Sequence, residues 1–135
     1  MPAHQSDDPQ IRAIVRGVTQ QTERTMRAIT LHLAAELIRH TPVDTGWARA
    51  NWVPRVGRPS DADVGRGGAE RVPQAVAAQT AGRNAVLGYR LGQGNINVTN
   101  NVPYIEALND GHSMQEPAGF VQRAIRSAVS SVAVT

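Results

Sequence analysis

Apolar residues recur at helical spacing from near the start of the chain. Ile11, Ile14, Val15 and Val18 lead through Thr22 into Met26, Ile29, Leu33 and Leu37. The stripe predicts one long helix over residues 9 to 39. Asp8 stands where a cap belongs and Pro9 suits the first helical position. Pro42 ends the helix, because it disfavours helical geometry at Thr41. Some 31 residues rising about 1.5 Å each give roughly 46 Å, more than the ~30 Å width of a small domain. One end therefore projects or packs on a neighbouring subunit, unless a kink near Gly17 folds the helix back.

Beyond this helix the pattern changes. TPVDTGWARANW, residues 41 to 52, puts turn-forming residues beside both tryptophans of the chain. Pro42 pre-sets its backbone angle, Asp44 can bond the backbone two residues on, and Gly46 supplies freedom where the chain redirects. A helical turn is expected over 46 to 49. Residues 50 to 56 should run extended, with Trp52 and Val53 on opposite faces, until the Pro54 and Pro59 region stops them. Residues 57 to 71, GRPSDADVGRGGAER, read as a long mobile surface loop.

Residues 73 to 87 have high helix propensity, with Pro73 at a first helical position. The alternation of Leu87, Tyr89 and Leu91 argues for a strand instead, but a helix to about Leu87 is favoured, followed by a glycine turn at Gly92 and Gly94. NINVTN, residues 95 to 100, alternates like a strand. Pro103 opens a short helical segment that Gly111 closes as a C-terminal cap. Pro117 opens a last helix with Phe120, Val121, Ala124, Ile125, Ala128, Val129 and Val132 as its apolar stripe.

The fold class that follows is α+β: a long N-terminal helix and a C-terminal helix packed on a small, mainly antiparallel β-sheet, with a long mobile loop. The 135 residues form one domain, with residues 1–8 flexible, 57–71 mobile and 131–135 frayed.

Composition narrows the function classes. There is no cysteine, which excludes disulfides and thiolate metal sites. No apolar run approaches the ~20 residues of a membrane span, and the polar start does not resemble a secretory signal, so a soluble protein made in a cytoplasm is expected. All 14 basic residues are arginine, and the net charge is +3. The skew reflects either a GC-rich genome or a use for planar, bidentate contacts. Arg12, Arg16 and Arg27, with Gln20 and Arg24 between them, mark a helix stripe that could face DNA, but stacking aromatics are scarce.

Chemistry-bearing motifs are weak. Asp110, His112 and Ser113 adjoin in sequence, whereas a catalytic triad needs convergence in space. His32 and Glu36 at i, i+4 could share a metal, but two ligands do not make a site. GRGGAE, residues 65 to 70, lacks the GK[ST] of a phosphate loop. No catalytic, cofactor-binding or metal residue is assigned, and the chain is read as a non-enzyme.

Three features together resemble a known family. One is TPVDTG followed by the Arg-Ala-Asn-Trp run. The second is TNNVPYIEALNDGHSMQEPAGFV, residues 99 to 121. The third is their order between a long N-terminal helix and a C-terminal helix. The pattern resembles the tail-completion, or head–tail joining, proteins of long-tailed bacteriophages, minor tail proteins of the neck. It spans roughly residues 9 to 130. The matching positions are Pro42, Asp44, Thr45, Gly46 and Trp52 in the first segment. In the second they are Asn100, Pro103, Tyr104, Glu106, Gly111, His112, Ser113, Gln115, Pro117 and Gly119. Trp47 and Asp110 depart from the usual residues.

The resemblance implies a homo-oligomeric ring, usually hexameric, at the head–tail junction of a virion assembled in a bacterial cytoplasm. Its partners would be a head-side connector or stopper protein, the tail-tube protein, and double-stranded DNA passing through without sequence specificity. No membrane is involved. On this reading TPVDTGWARANW is a hinge with Trp52 as its anchor in the core or at a subunit seam. Arg58, Asp61, Asp63, Arg66, Glu70 and Arg71 make the mobile loop a docking candidate. A tail terminator or connector adaptor of the same particle is the nearest alternative; a small basic DNA-binding protein is the alternative of another class.

Overall fold

A computed structural model describes residues 8–42, 47–60, 72–111 and 118–132. Helix α1 spans Pro9–His40 and α2 Trp47–Ala50; strand β1 is Val53–Val56. Helix α3 covers Val72–Leu87, strand β2 Ile96–Thr99, α4 Ile105–Asn109 and α5 Phe120–Val132. The class is α+β, with the long N-terminal helix, the C-terminal helix and a two-stranded antiparallel sheet.

Helix α1 begins as its sequence dictates. The Asp8 carboxylate accepts from the Gln10 N–H at 2.8 Å, and Pro9 needs no partner for a missing N–H. The helix runs through Gly17 to His40, so the kinked alternative does not hold. Its 32 residues reach about 48 Å. The first third is bare: every residue from Asp8 to Val18 is exposed. Further along, Thr30, Ala34 and Leu37 are buried.

What buries them is α5, which lies along the C-terminal half of α1. Phe120, Ala124 and Ala128 stand at successive turns and are all buried. The two alanines let the helices approach closely, and Phe120 fills the end of the groove. The expected stripe on α5 is thus divided. Ile125 and Val129, 46% and 51% exposed, point away from the core. Leu37, Trp52, Phe120 and Ala124 form one core cluster, with Leu33, Val98, Ile105, Leu108 and Val121 packed around it. Burying each large apolar side chain contributes about 1.5–3 kcal/mol.

The sheet is covered on the other side by α3. Val53 pairs with Thr99, Pro54 with Val98, Arg55 with Asn97 and Val56 with Ile96. Pro54 therefore lies inside β1 and does not stop it. A two-stranded sheet makes every strand an edge, where a residue without an N–H is tolerated. The strand also starts later than expected. Ala50 belongs to α2, Asn51 to a turn, and Trp52 and Val53 are both buried because helices pack on both faces of β1. Gly82 of α3 faces Pro54 so closely that a Cβ would stand 1.9 Å from the Pro54 carbonyl oxygen.

Leu87 ends α3, so the competing strand pattern at Leu87, Tyr89 and Leu91 is not realised. Gly92 and Gly94, both with φ +99°, form the expected turn. The short segment after Pro103 becomes helical only at Ile105, with Tyr104 in the capping position. Gly111, at φ +93°, closes it.

Candidate functional site

The corner between α1 and β1 is built around Thr41. Its N–H donates to the Leu37 carbonyl at 3.0 Å, and its hydroxyl donates to the same carbonyl at 2.5 Å. The hydroxyl oxygen in turn accepts the Trp52 indole N–H at 2.6 Å. The Arg49 guanidinium takes the remaining group, donating to the Thr41 carbonyl at 3.1 and 3.3 Å. Thr41 is wholly buried and Pro42 beside it is buried too. Trp52 thus anchors in the core of its own chain.

The second motif segment folds onto this corner. Asn100 donates to the Ala48 carbonyl at 2.8 Å and accepts the Val102 N–H at 3.0 Å. Tyr104 meets Trp47 edge to face, with ring centroids 5.3 Å apart. Asn109 then ties α4 to α5. Its side chain accepts the Val121 N–H at 3.0 Å and donates to Gln122 at 3.1 Å, while its carbonyl accepts the Gly119 N–H at 2.7 Å. A residue eleven positions upstream therefore caps the start of α5. Gly119, at φ +85°, and Gly111, whose Cβ would press on Ala118 at 3.2 Å, let the two ends meet.

Among the positions singled out by sequence, the structure brings together Pro42, Trp52, Asn100, Tyr104, Gly111 and Gly119 around α2 and the α4–α5 turn. Pro103 is exposed in the turn before α4, and Glu106 is exposed on α4 itself. Arg58 is exposed beyond β1. Asp44, Thr45, Gly46, Asp61, Asp63, Arg66, Glu70, Arg71, His112, Ser113, Gln115 and Pro117 lie outside the described residues, as do GRGGAE and two members of the Asp110–His112–Ser113 set. Sequence reading placed the corner's turn chemistry on Pro42, Asp44 and Gly46. It missed Thr41, whose signal was a hydroxyl beside the helix-ending proline and a tryptophan needing a buried acceptor. Asn109 and Gly82 were missed as well.

The arginine stripe on α1 requires correction. Arg27 donates both Nε, at 2.9 Å, and Nη2 to the Tyr89 carbonyl, and Glu23 accepts the Leu91 N–H at 2.9 Å. Arg27 is therefore committed inside the chain, pinning the turn after α3 to the middle of α1. Arg12 and Arg16 stay exposed.

Glu36 is the centre of the principal charge cluster. Its carboxylate accepts from Arg39 at 2.8 and 3.1 Å and lies 3.3 Å from His40 and 3.9 Å from His32. The Arg39 hydrogen bond, against a smaller opposing effect of burial, holds the Glu36 carboxyl below its ordinary value; the nearby Arg39, His40 and His32 charges add to this. His32 also meets the Ser127 hydroxyl at 3.2 Å, across to α5. Among the described residues, no group of three or more His, Cys, Asp or Glu is placed to hold a metal ion. Nor is any described helix long and apolar enough to cross a membrane.

The arrangement holds backbone corners and, among the described residues, leaves the first third of α1 bare and a groove open beside α4 and α5. Comparison with family models, curated proteins and solved structures found no match to this chain.

Proposed function

We propose that this chain is a structural virion protein of the phage neck, forming a ring that joins the head connector to the tail tube around the DNA path. The observation that carries the reading is the joining of the two motif segments. Residues 41 to 52 and 99 to 121, far apart in sequence, meet through Asn100 and Ala48, Trp47 and Tyr104, and Trp52 and Phe120. The motif residues thus serve to set a rigid corner, as an assembly component requires. The bare, apolar first third of α1 also supports it, since exposed apolar surface of this kind marks interfaces.

A tail terminator or connector adaptor would use the same architecture with other docking partners. The DNA-binding alternative loses Arg27, one of the four arginines of the stripe that suggested it.

Cryo-electron microscopy of particles containing this chain tests the proposal. Density for a ring touching both connector and tail tube is expected. Intact particles lacking the chain would refute it. Ser60 is buried and its carbonyl accepts from Asn101 at 2.7 Å, so the deletion starts beyond it. Deleting residues 61 to 68 from the docking candidate should leave the fold intact and block head–tail joining; unimpaired joining would remove that role from the segment.

A further inference from the structure

The apolar stripe of α1 is continuous, yet its two ends differ in cover. Leu33 and Leu37 pack into the core, whereas Ile11, Ile14, Val15 and Val18, one to two turns apart on the same face, are 46–65% exposed. Three turns of helix therefore project with an apolar face that this chain's described residues do not cover. Arg12 and Arg16 stand on one flank of that face, one turn and about 6 Å apart.

A complementary surface lies at the other end of the molecule. Between α4 and α5 runs a groove of about 320 Å³ with Trp52, Ile105 and Val121 in its floor. Glu106 and Asp110 line its rim. They are also one turn apart, with the Asp110 N–H bonded to the Glu106 carbonyl at 2.9 Å. Both are exposed, and neither forms an ion pair among the described residues. The groove thus offers an apolar floor and a pair of carboxylates at the spacing of the arginine pair on the arm.

We propose that the projecting arm of one copy docks into the α4–α5 groove of a second copy, Arg12 and Arg16 facing Glu106 and Asp110. Arm and groove are different surfaces, so the contact is head-to-tail, and such contacts close into rings or run on as filaments. Apolar burial supplies the affinity, and the charge pairs set the register and exclude the reversed one. The α4–α5 groove is preferred over a free acidic peptide as the arginines' target because floor, rim and spacing all match within one chain. This pairing rests on the ring-forming part of the proposed function but not on the ring's place in a particle. Association through these surfaces by a chain absent from the neck would overturn the neck reading alone.

Light scattering on the purified full chain, across a concentration series into the millimolar range, tests it. The unaltered chain should associate. Arg12→Glu with Arg16→Glu should weaken association by roughly tenfold or more, as should Glu106→Arg with Asp110→Arg. All four changes in one chain should restore it. Unchanged circular dichroism would show that each variant folds, as expected for exposed positions. A chain that stays monomeric throughout would overturn the proposal. So would association that survives the groove substitutions, which would mean that the arms pair with each other. Failure of the four-fold variant to recover would remove the specific pairing of the charges.

Discussion

The Trp52 indole donates its N–H to the Thr41 hydroxyl at 2.6 Å, and that hydroxyl donates onward to the Leu37 carbonyl. One threonine therefore finishes the long helix and orients the largest side chain of the core. This local chain of bonds couples the helix end to the start of β1. Both partners are buried, so no solvent substitutes when either is lost.

Thr41→Val keeps the shape and removes both bonds. It leaves the indole N–H buried without its acceptor, a loss of about 1–3 kcal/mol. Thr41→Ser should retain most of the stability, since the hydroxyl remains. Urea denaturation followed by tryptophan fluorescence measures both. Equal midpoints for Thr41→Val and the unaltered chain would show that the bond contributes nothing.

Two glycines in helices should respond to alanine with opposite signs. Nothing stands within 4 Å of a Cβ at Gly17, which lies in the exposed arm of α1. Gly17→Ala should stabilise the arm by about 0.5–1 kcal/mol, the usual helix preference for alanine. Amide exchange over residues 10 to 20 reads this directly, and faster exchange in the variant would contradict it. At Gly82 the same preference is outweighed. The new methyl would meet the Pro54 carbonyl oxygen at 1.9 Å, so α3 must move off β1. Overpacking of this kind costs about 1–3 kcal/mol, and the thermal midpoint of Gly82→Ala should fall. A raised midpoint would mean that the helix shifts freely.

These contrasts show what was legible in the sequence. The periodicity of Ile29, Leu33 and Leu37 gave α1, and Asp8 with Pro9 gave its start, because both signals are local. The turn glycines Gly92, Gly94 and Gly111 were equally legible from their position. Gly82 was not, since its reason is Pro54, 28 residues away, and only packing brings them together. The same holds for Asn109, which caps a helix beginning eleven residues later. Arg27 looked like part of a surface stripe because helical spacing cannot show that the Tyr89 carbonyl lies across from it. The exposed arm could be expected from helix length alone, but its complement at Glu106 and Asp110 needed the groove to be seen.

Arg27 and Arg16 provide a paired test on α1. Arg27→Met removes both donors to the Tyr89 carbonyl and should cost about 1–3 kcal/mol. Arg16→Gln, on the exposed arm, should change stability of the isolated fold by no more than about 0.5 kcal/mol. Chemical denaturation at a dilution that favours monomer compares them. Equal effects would contradict the assignment of Arg27 to an internal role.

Acid sensitivity should centre in part on Glu36. Its carboxyl is held below the ordinary value of 4.5 chiefly by the Arg39 hydrogen bond. A lowered folded value means that the unfolded chain takes up the proton first as pH falls. The stabilisation is therefore fully present above about pH 4.5 and is lost as pH drops through the folded value. Glu36→Gln lacks this stabilisation at every pH. The stability gap between the two chains should narrow on acidification below the ordinary carboxylate range. Because the cluster is partly solvated, the gap should be modest and should shrink with added salt. Denaturation midpoints across a pH series decide it. A gap that stays constant to the acid limit of folding would mean that Glu36 titrates alike in both states and that Arg39 does not hold it.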